Sequence, residues 1–198
     1  MRATISLCLT AMTFLLAAGC AGTRPVHYYT VVPTSAPGNQ GAPDAPVILV
    51  GAITTSEPLQ DARIRYRAGA NQTGAYEYHR WTERPGGMVR DSLLRALRAT
   101  GKYHVLEASS SAVGDYLVRG KLYEFCEVDQ AAIQTRISLQ VELVDKKTNR
   151  VVWDHLYDRE DPVAAKSIPE VVESMDRNLQ HVVSEVSAQI DGFLAVRR

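Results

Sequence analysis

The sequence predicts a single α/β domain of the α+β kind, a mostly antiparallel sheet with two helices packed on one face. Three patterns point to it. Ile133, Ile137, Leu139, Val141 and Leu143 alternate with Gln134, Arg136, Ser138, Gln140 and Glu142, the two-residue period of a strand with one buried face. Ile168, Val171, Val172, Met175, Leu179, Val182, Val183, Val186, Ile190 and Phe193 recur at three- and four-residue steps, the stripe of an amphipathic helix. Pro85 opens a shorter helix carrying Met88, Val89, Leu93, Leu94 and Leu97 and stopping at Gly101.

The chain begins with a segment unlike the rest. Arg2 is followed by an apolar run from Ile5 to Ala18, the length of a signal-peptide core and short for a membrane span. The run ends in Leu16-Ala17-Ala18-Gly19-Cys20, small residues before a cysteine, as a lipoprotein signal peptidase requires. Residues 1–19 are therefore expected to be a signal peptide, with Cys20 as the lipidated residue. The alternative is an ordinary secretory leader that happens to contain a cysteine. Diacylglycerol and an N-acyl chain on Cys20 would hold the protein firmly, since each buried methylene contributes about 0.8 kcal/mol. Ala21 in place of Asp after the cysteine directs the expectation to the outer membrane, facing the periplasm.

Residues 20–26 read as a lipidated tether and 27–198 as the domain. His27 to Val32 is strand-like. Residues 33–46 hold four prolines and two glycines and read as a flexible loop. Val47 to Ile53 is apolar and β-branched, a buried strand. Ala62, Ile64 and Tyr66 alternate with Arg63, Arg65 and Arg67, a half-buried strand. Asn71 to Gly74 reads as a turn, Tyr76 to Trp81 as extended, and Lys102 to Glu107 as a short strand. Asp115 to Glu127 is a strand with Tyr116, Val118 and Leu122 on one face. Asp145 to Arg150 is a polar turn, after which Val151-Val152-Trp153 begins a returning strand.

Composition narrows the function classes. The chain carries 22 Lys+Arg and 22 Asp+Glu, and without Arg2 of the leader the mature part has a formal net charge of −1. With no basic run to concentrate charge, nucleic acid is not an expected partner. Cys8 lies in the leader and Cys20 is the lipid site, so Cys126 alone remains as a thiol and reads as a packed one.

Catalytic and cofactor signatures do not appear. There is no Gly-x-Ser-x-Gly elbow, His-Glu-x-x-His pair or Walker loop. His27, His79, His104, His155 and His181 are scattered singly. Glu83, Asp115, Glu124 and Glu127 have no spacing that requires them to converge. The expectation is a non-enzyme without cofactor or metal. Arg63, Arg65 and Arg67 would stand on one strand face and could meet lipid phosphate or an acidic partner, although the simpler reading is a solvated edge. Tyr76, Tyr78 and Trp81 could line a groove or anchor the core. Phe193 and Leu194 could be exposed at the chain's end.

Taken together, the segments resemble the ABC-type transport auxiliary lipoproteins, including the paraquat-inducible protein C-like group. The resemblance runs through Tyr28-Tyr29-Thr30 with Pro33, Arg63-Ile64-Arg65-Tyr66, Glu77-Tyr78-His79-Arg80-Trp81, Arg84-Pro85 and Met88. It continues through Asp115-Tyr116, Gly120, Leu122, Glu124-Phe125, Leu143-Val144-Asp145, Arg150-Val151-Val152-Trp153, Pro162-Val163 and the terminal helix. It implies an accessory lipoprotein of a mammalian-cell-entry (MCE) type ABC lipid transport system. Its partners would be a periplasmic MCE-domain protein and the permease and ATPase of the same system. The lipoprotein would dock the outer-membrane end of the path, as one copy or as a homo-oligomeric ring. The open alternative is an envelope-assembly lipoprotein serving lipopolysaccharide or secreted-fibre machinery.

Overall fold

The computed structural model describes residues 24–32, 41–109 and 111–197. The leader, Cys20 and residues 33–40 of the Pro-rich segment lie outside the described residues. In chain order the strands are β1 (His27–Tyr29), β2 (Val47–Thr55), β3 (Arg63–Ala68), β4 (Gln72–Trp81), β5 (His104–Glu107), β6 (Tyr116–Asp129), β7 (Ile133–Asp145) and β8 (Arg150–Pro162). Helix α1 (Pro85–Ala99) joins β4 to β5, helix α2 (Ile168–Ala195) follows β8, and a 3-10 turn (Glu57–Gln60) joins β2 to β3.

All eight strands share one mixed sheet, an α+β arrangement as expected. Its longest pairings, β6 with β7 and β7 with β8, are antiparallel, as is β3 with β4. Four shorter pairings are parallel: β1 with β4, β2 with β5, and both β2 and β3 with β6. Those last two meet the same edge of β6 end to end. β2 pairs with Tyr116–Leu122 and β3 with Cys126–Asp129, so the sheet forks where Tyr123, Glu124 and Phe125 have no strand partner on that edge.

The fork coincides with a β-bulge between Leu122 and Glu124. A bulge adds one residue and shifts the side-chain alternation beyond it. Leu122 points to the helices, and the shift brings Phe125 to that same side while leaving Glu124 on the other. Both Leu122 and Phe125 are buried. The helix-side core is built from Ile48, Val50, Ile64, Trp81, Leu139 and Leu143 of the sheet, with Val89, Leu93, Met175, Leu179, Val186 and Ile190 of the helices. α1 lies on β2 and β5, and α2 lies on β7, β8 and α1. Each fully buried aliphatic side chain contributes about 1.5–3 kcal/mol over an exposed one, so this layer is the principal source of stability.

Local signals explain most boundaries. Pro85 stands in the first turn of α1, where no N–H is required, and Gly101 with φ of 65° ends the segment after it. The β3–β4 turn lies at 69–71, two residues earlier than the sequence reading, because Gly69 with φ of 65° supplies the reversal and Gln72 already belongs to β4. Residues 41–46 of the Pro-rich segment are tied to the start of β5: Gly41 N–H donates to Tyr103 O at 3.1 Å, and His104 Nε2 lies 2.9 Å from Ala42 O. Strand β8 continues to Pro162 through Asp154, Asp158 and Glu160, a stretch too charged to read as a strand. Its outward positions face solvent, while Tyr157 and Asp161 turn inward and are buried. Leu194, which the sequence allowed to be exposed, is buried at 3% exposure near the end of α2.

Candidate functional site: the helix-free face of the sheet

Both helices cover one side of the sheet, which leaves the other open. Alternation along β3 places Ile64 and Tyr66 toward the helices and Arg63, Arg65 and Arg67 on the open face. Registers with β6 put Arg65 opposite Cys126 and Arg67 opposite Val128. The three arginines therefore share a face as the sequence suggests, but they have different surroundings. Arg63 is engaged by Asp61. Arg67 donates to Glu124 at 2.8 Å. Arg65 has no ion pair or hydrogen bond among the described residues, and it is half-buried.

Glu124 starts an ionic ladder that crosses the face. One of its oxygens takes Arg67, and the other lies 2.6 Å from Arg136 Nε. Arg136 reaches on to Asp158 at 2.7 Å and Glu160 at 3.1 Å on β8. A second pair, Arg119 with Glu142 at 2.8 Å, and Lys121 over the Tyr123 ring at 5.0 Å, continue the polar surface toward β2. Between these groups lies a shallow concavity of about 350 Å³ floored by Ala52, Thr54 and Gly120. Gly120 is close to the neighbouring strand: a Cβ there would stand 2.4 Å from Gln140 O.

The fork itself forms a smaller cleft of about 110 Å³. Pro58, Leu59 and Phe125 line it together with Arg65, Arg67 and Glu124. Cys126 also lines it, and burial followed by the nearby Glu124 charge pushes the thiol up to about 11. Such a thiol is a packed neutral group, as its place in the strand suggests.

The remaining candidates do not assemble into a centre. Asp115 accepts the Val47 N–H at 2.8 Å at one end of β6, and Glu127 accepts from the Tyr76 hydroxyl at 2.7 Å near the other. Glu124 is on the opposite face from Glu127, and Glu83 lies against Gly87 at the start of α1. Burial holds the Glu127 carboxyl above its usual range, with the Tyr76 hydrogen bond opposing. Trp81 is a core residue at 1% exposure, whereas Tyr76 is half-buried. His27 and His79 stack with ring centroids 5.3 Å apart, a pairing created by the β1–β4 register and invisible in the sequence. Among the described residues, no group of three or more His, Cys, Asp or Glu could hold a metal, and no helix is long and apolar enough to cross a membrane.

Residues 29–187 match the family described as ABC-type transport auxiliary lipoprotein component. The chain belongs to that family. The match begins at the last residue of β1 and ends within α2, so it takes in strands β2 to β8 of the auxiliary lipoprotein. A crystal structure of a Xanthomonas campestris protein superposes with a TM-score of 0.74 at 19% identity, covering 87% of this chain and 100% of the other. An uncharacterized protein gives a TM-score of 0.68 at 13% identity over 84% of this chain and 99% of its own. A hypothetical protein of Chlamydia trachomatis gives 0.53 at 12% identity, over 79% and 99%. At such low identities the likeness is one of fold. No curated protein matches the chain.

Proposed function

We propose that this auxiliary lipoprotein is a non-catalytic accessory subunit of an MCE-type ABC lipid transport system, anchored in the outer membrane through lipid on Cys20. In this reading it docks the periplasmic MCE component with the helix-free face of its sheet. The observation that carries the reading is that face: an open surface of fixed charges and shallow concavities, in a family that serves ABC transport. Its ion pairs are mostly solvent-exposed, so they would steer association and set register more than supply affinity. An acyl anchor confines the domain to one leaflet and raises its effective concentration near a partner reaching across the periplasm. Any energy for transport comes from the partner ATPase.

Crosslinking the full-length protein in intact cells, purifying it from detergent-solubilised envelope and identifying its companions by mass spectrometry tests the proposal. The expected companions are an MCE protein or its permease. Recovery of an outer-membrane β-barrel or of polymer-secretion machinery alone overturns it in favour of an assembly role.

A further inference from the structure

We propose that the domain rests on the phospholipid headgroups of its own membrane by the β1 edge of the sheet, through Arg24, Val26, Tyr28, Tyr78 and Arg80. The inference rests on the reading of Cys20 as the lipidated residue. It adds the surface that meets the leaflet and the direction in which the sheet then stands.

Chain length is the first argument. Arg24 follows Cys20 by four positions, and four fully extended residues reach at most about 14 Å. Acyl chains on Cys20 therefore bring the start of β1 close to the leaflet that holds them. β1 is an edge strand paired with β4, and no strand among the described residues lies outside it.

Surface chemistry supplies the second. His27 and Tyr29 turn to the helix side, where both rings meet His79. Tyr28 turns to the open face and stands in register beside Arg80. It is 62% exposed, and Val26 just before it is 38% exposed. Arg24 lies over the Tyr78 ring, its guanidinium carbon 5.8 Å from the centroid. Tyrosine suits the boundary between hydrocarbon and water, and a guanidinium takes phosphate oxygens two at a time.

Charge distribution supplies the third. On the open side of β1, β4 and β3, with the residues that lead into them, Arg24, Arg63, Arg65, Arg67 and Arg80 stand against Asp61 and Glu77. Even with Glu124 assigned to Arg67, positive charge is in excess there by two. Across β6, β7 and β8 the sign reverses, since Arg119, Lys121 and Arg136 stand with Glu142, Asp154, Asp158 and Glu160. An anionic leaflet attracts the first region and repels the second. From β1 the sheet runs through β4, β3, β6 and β7 to β8, a distance of about 24 Å at the usual strand spacing. The sheet thus stands on β1 and holds its acidic edge away from the membrane. The acyl chains supply the hold and the patch supplies the orientation.

The test reconstitutes the full-length mature lipoprotein into vesicles of phosphatidylcholine and phosphatidylglycerol, with a trace of phosphatidylethanolamine carrying a diazirine on its headgroup. After illumination, mass spectrometry maps the labelled residues and reads the mass of the N-terminal peptide. Residues 24–28 follow the anchor and label in any case, so the deciding segment is 76–82. It should label at least about fivefold more than 150–162, which stand several strand spacings away. Arg24→Gln combined with Tyr28→Ser should lower the labelling of 76–82 about fivefold, the factor of one basic side chain at an anionic surface. Arg119→Gln combined with Leu156→Ser, which removes a charge and an apolar side chain far from β1, should label like the parent. Thermal melts by circular dichroism verify that each variant is folded. The proposal is overturned if 76–82 does not label in the parent, if 76–82 and 150–162 label equally, or if the Arg24 and Tyr28 changes have no effect. Any of these results with an acylated Cys20 removes this inference alone. An N-terminal peptide without acyl chains removes the anchor reading and this inference with it.

Discussion

The Trp81 indole and the Phe125 ring meet edge to face, with centroids 5.4 Å apart and planes inclined at 63°. Trp81 closes β4 and Phe125 follows the bulge in β6, so this contact ties the β3–β4 branch of the forked sheet to the strand that both branches share. Both side chains are 1% exposed. Trp81→Ala should cost about 3–5 kcal/mol through the cavity it leaves, and Phe125→Leu distinctly less. Urea unfolding followed by circular dichroism measures both, and a loss below about 1 kcal/mol for Trp81→Ala would show that the contact does not hold this part of the sheet together.

Asn178 is fully buried in α2, where its side-chain amide donates to Thr135 O and Arg159 O, each at 3.2 Å. Beside it, Ser174 Oγ lies 2.9 Å from Thr135 Oγ1 and donates to Asp161 O at 3.1 Å. This network fixes the register of α2 on β7 and β8. Asn178→Ala removes the donor from two buried carbonyls and should destabilise the fold by about 1–3 kcal/mol. Hydrogen exchange should show the loss of protection concentrated in α2 and β8; a uniform loss across the sheet would contradict the assigned role.

A thiol pushed up to about 11 is almost wholly protonated at pH 8. Cys126 in the folded protein should therefore react with a thiol-specific dye at least about a hundredfold more slowly than an unfolded cysteine of ordinary pKa near 8.5. Stopped-flow labelling with and without urea gives the ratio. A ratio near unity would mean that the fork opens readily.

Burial, together with the neighbouring His27, lowers the His79 pKa below its usual value. The native state then favours neutral His79, while the unfolded chain protonates it near pH 6.5. More protons are bound by the unfolded state in that window, so stability should rise with pH there and fall as pH drops below about 6.5. His79→Gln should make the loss between pH 7.5 and 5.5 shallower than in the parent. Parallel losses in denaturant titrations at the two pH values would show that His79 does not contribute.

Replacing Cys20 with Ala should give a folded protein in the soluble periplasmic fraction that no longer supports envelope integrity, because the anchor supplies confinement near the partner. Fractionation and a detergent-sensitivity assay measure these outcomes. Full complementation by the soluble form would make the anchor dispensable.

Much of this lipoprotein is legible in its sequence because the relevant forces are local. The two-residue alternation from Ile133 to Leu143 and the stripe from Ile168 to Phe193 each determine an element and the face it buries. Pro85 and Gly101 bound the first helix through backbone sterics, and the Arg63, Arg65 and Arg67 alternation alone assigns those side chains to one face. Tertiary structure decided the rest. Alternation in β6 does not disclose the bulge after Leu122, which exchanges Glu124 for Phe125 in the core and opens the fork. Periodicity gives no warning that β2 and β3 share one edge of β6, or that Asp61 and Glu124 occupy two of the three arginines and leave Arg65 free among the described residues. These are contacts between residues far apart in the chain. Sequence spacing encodes which way a side chain points, and only packing determines what it meets.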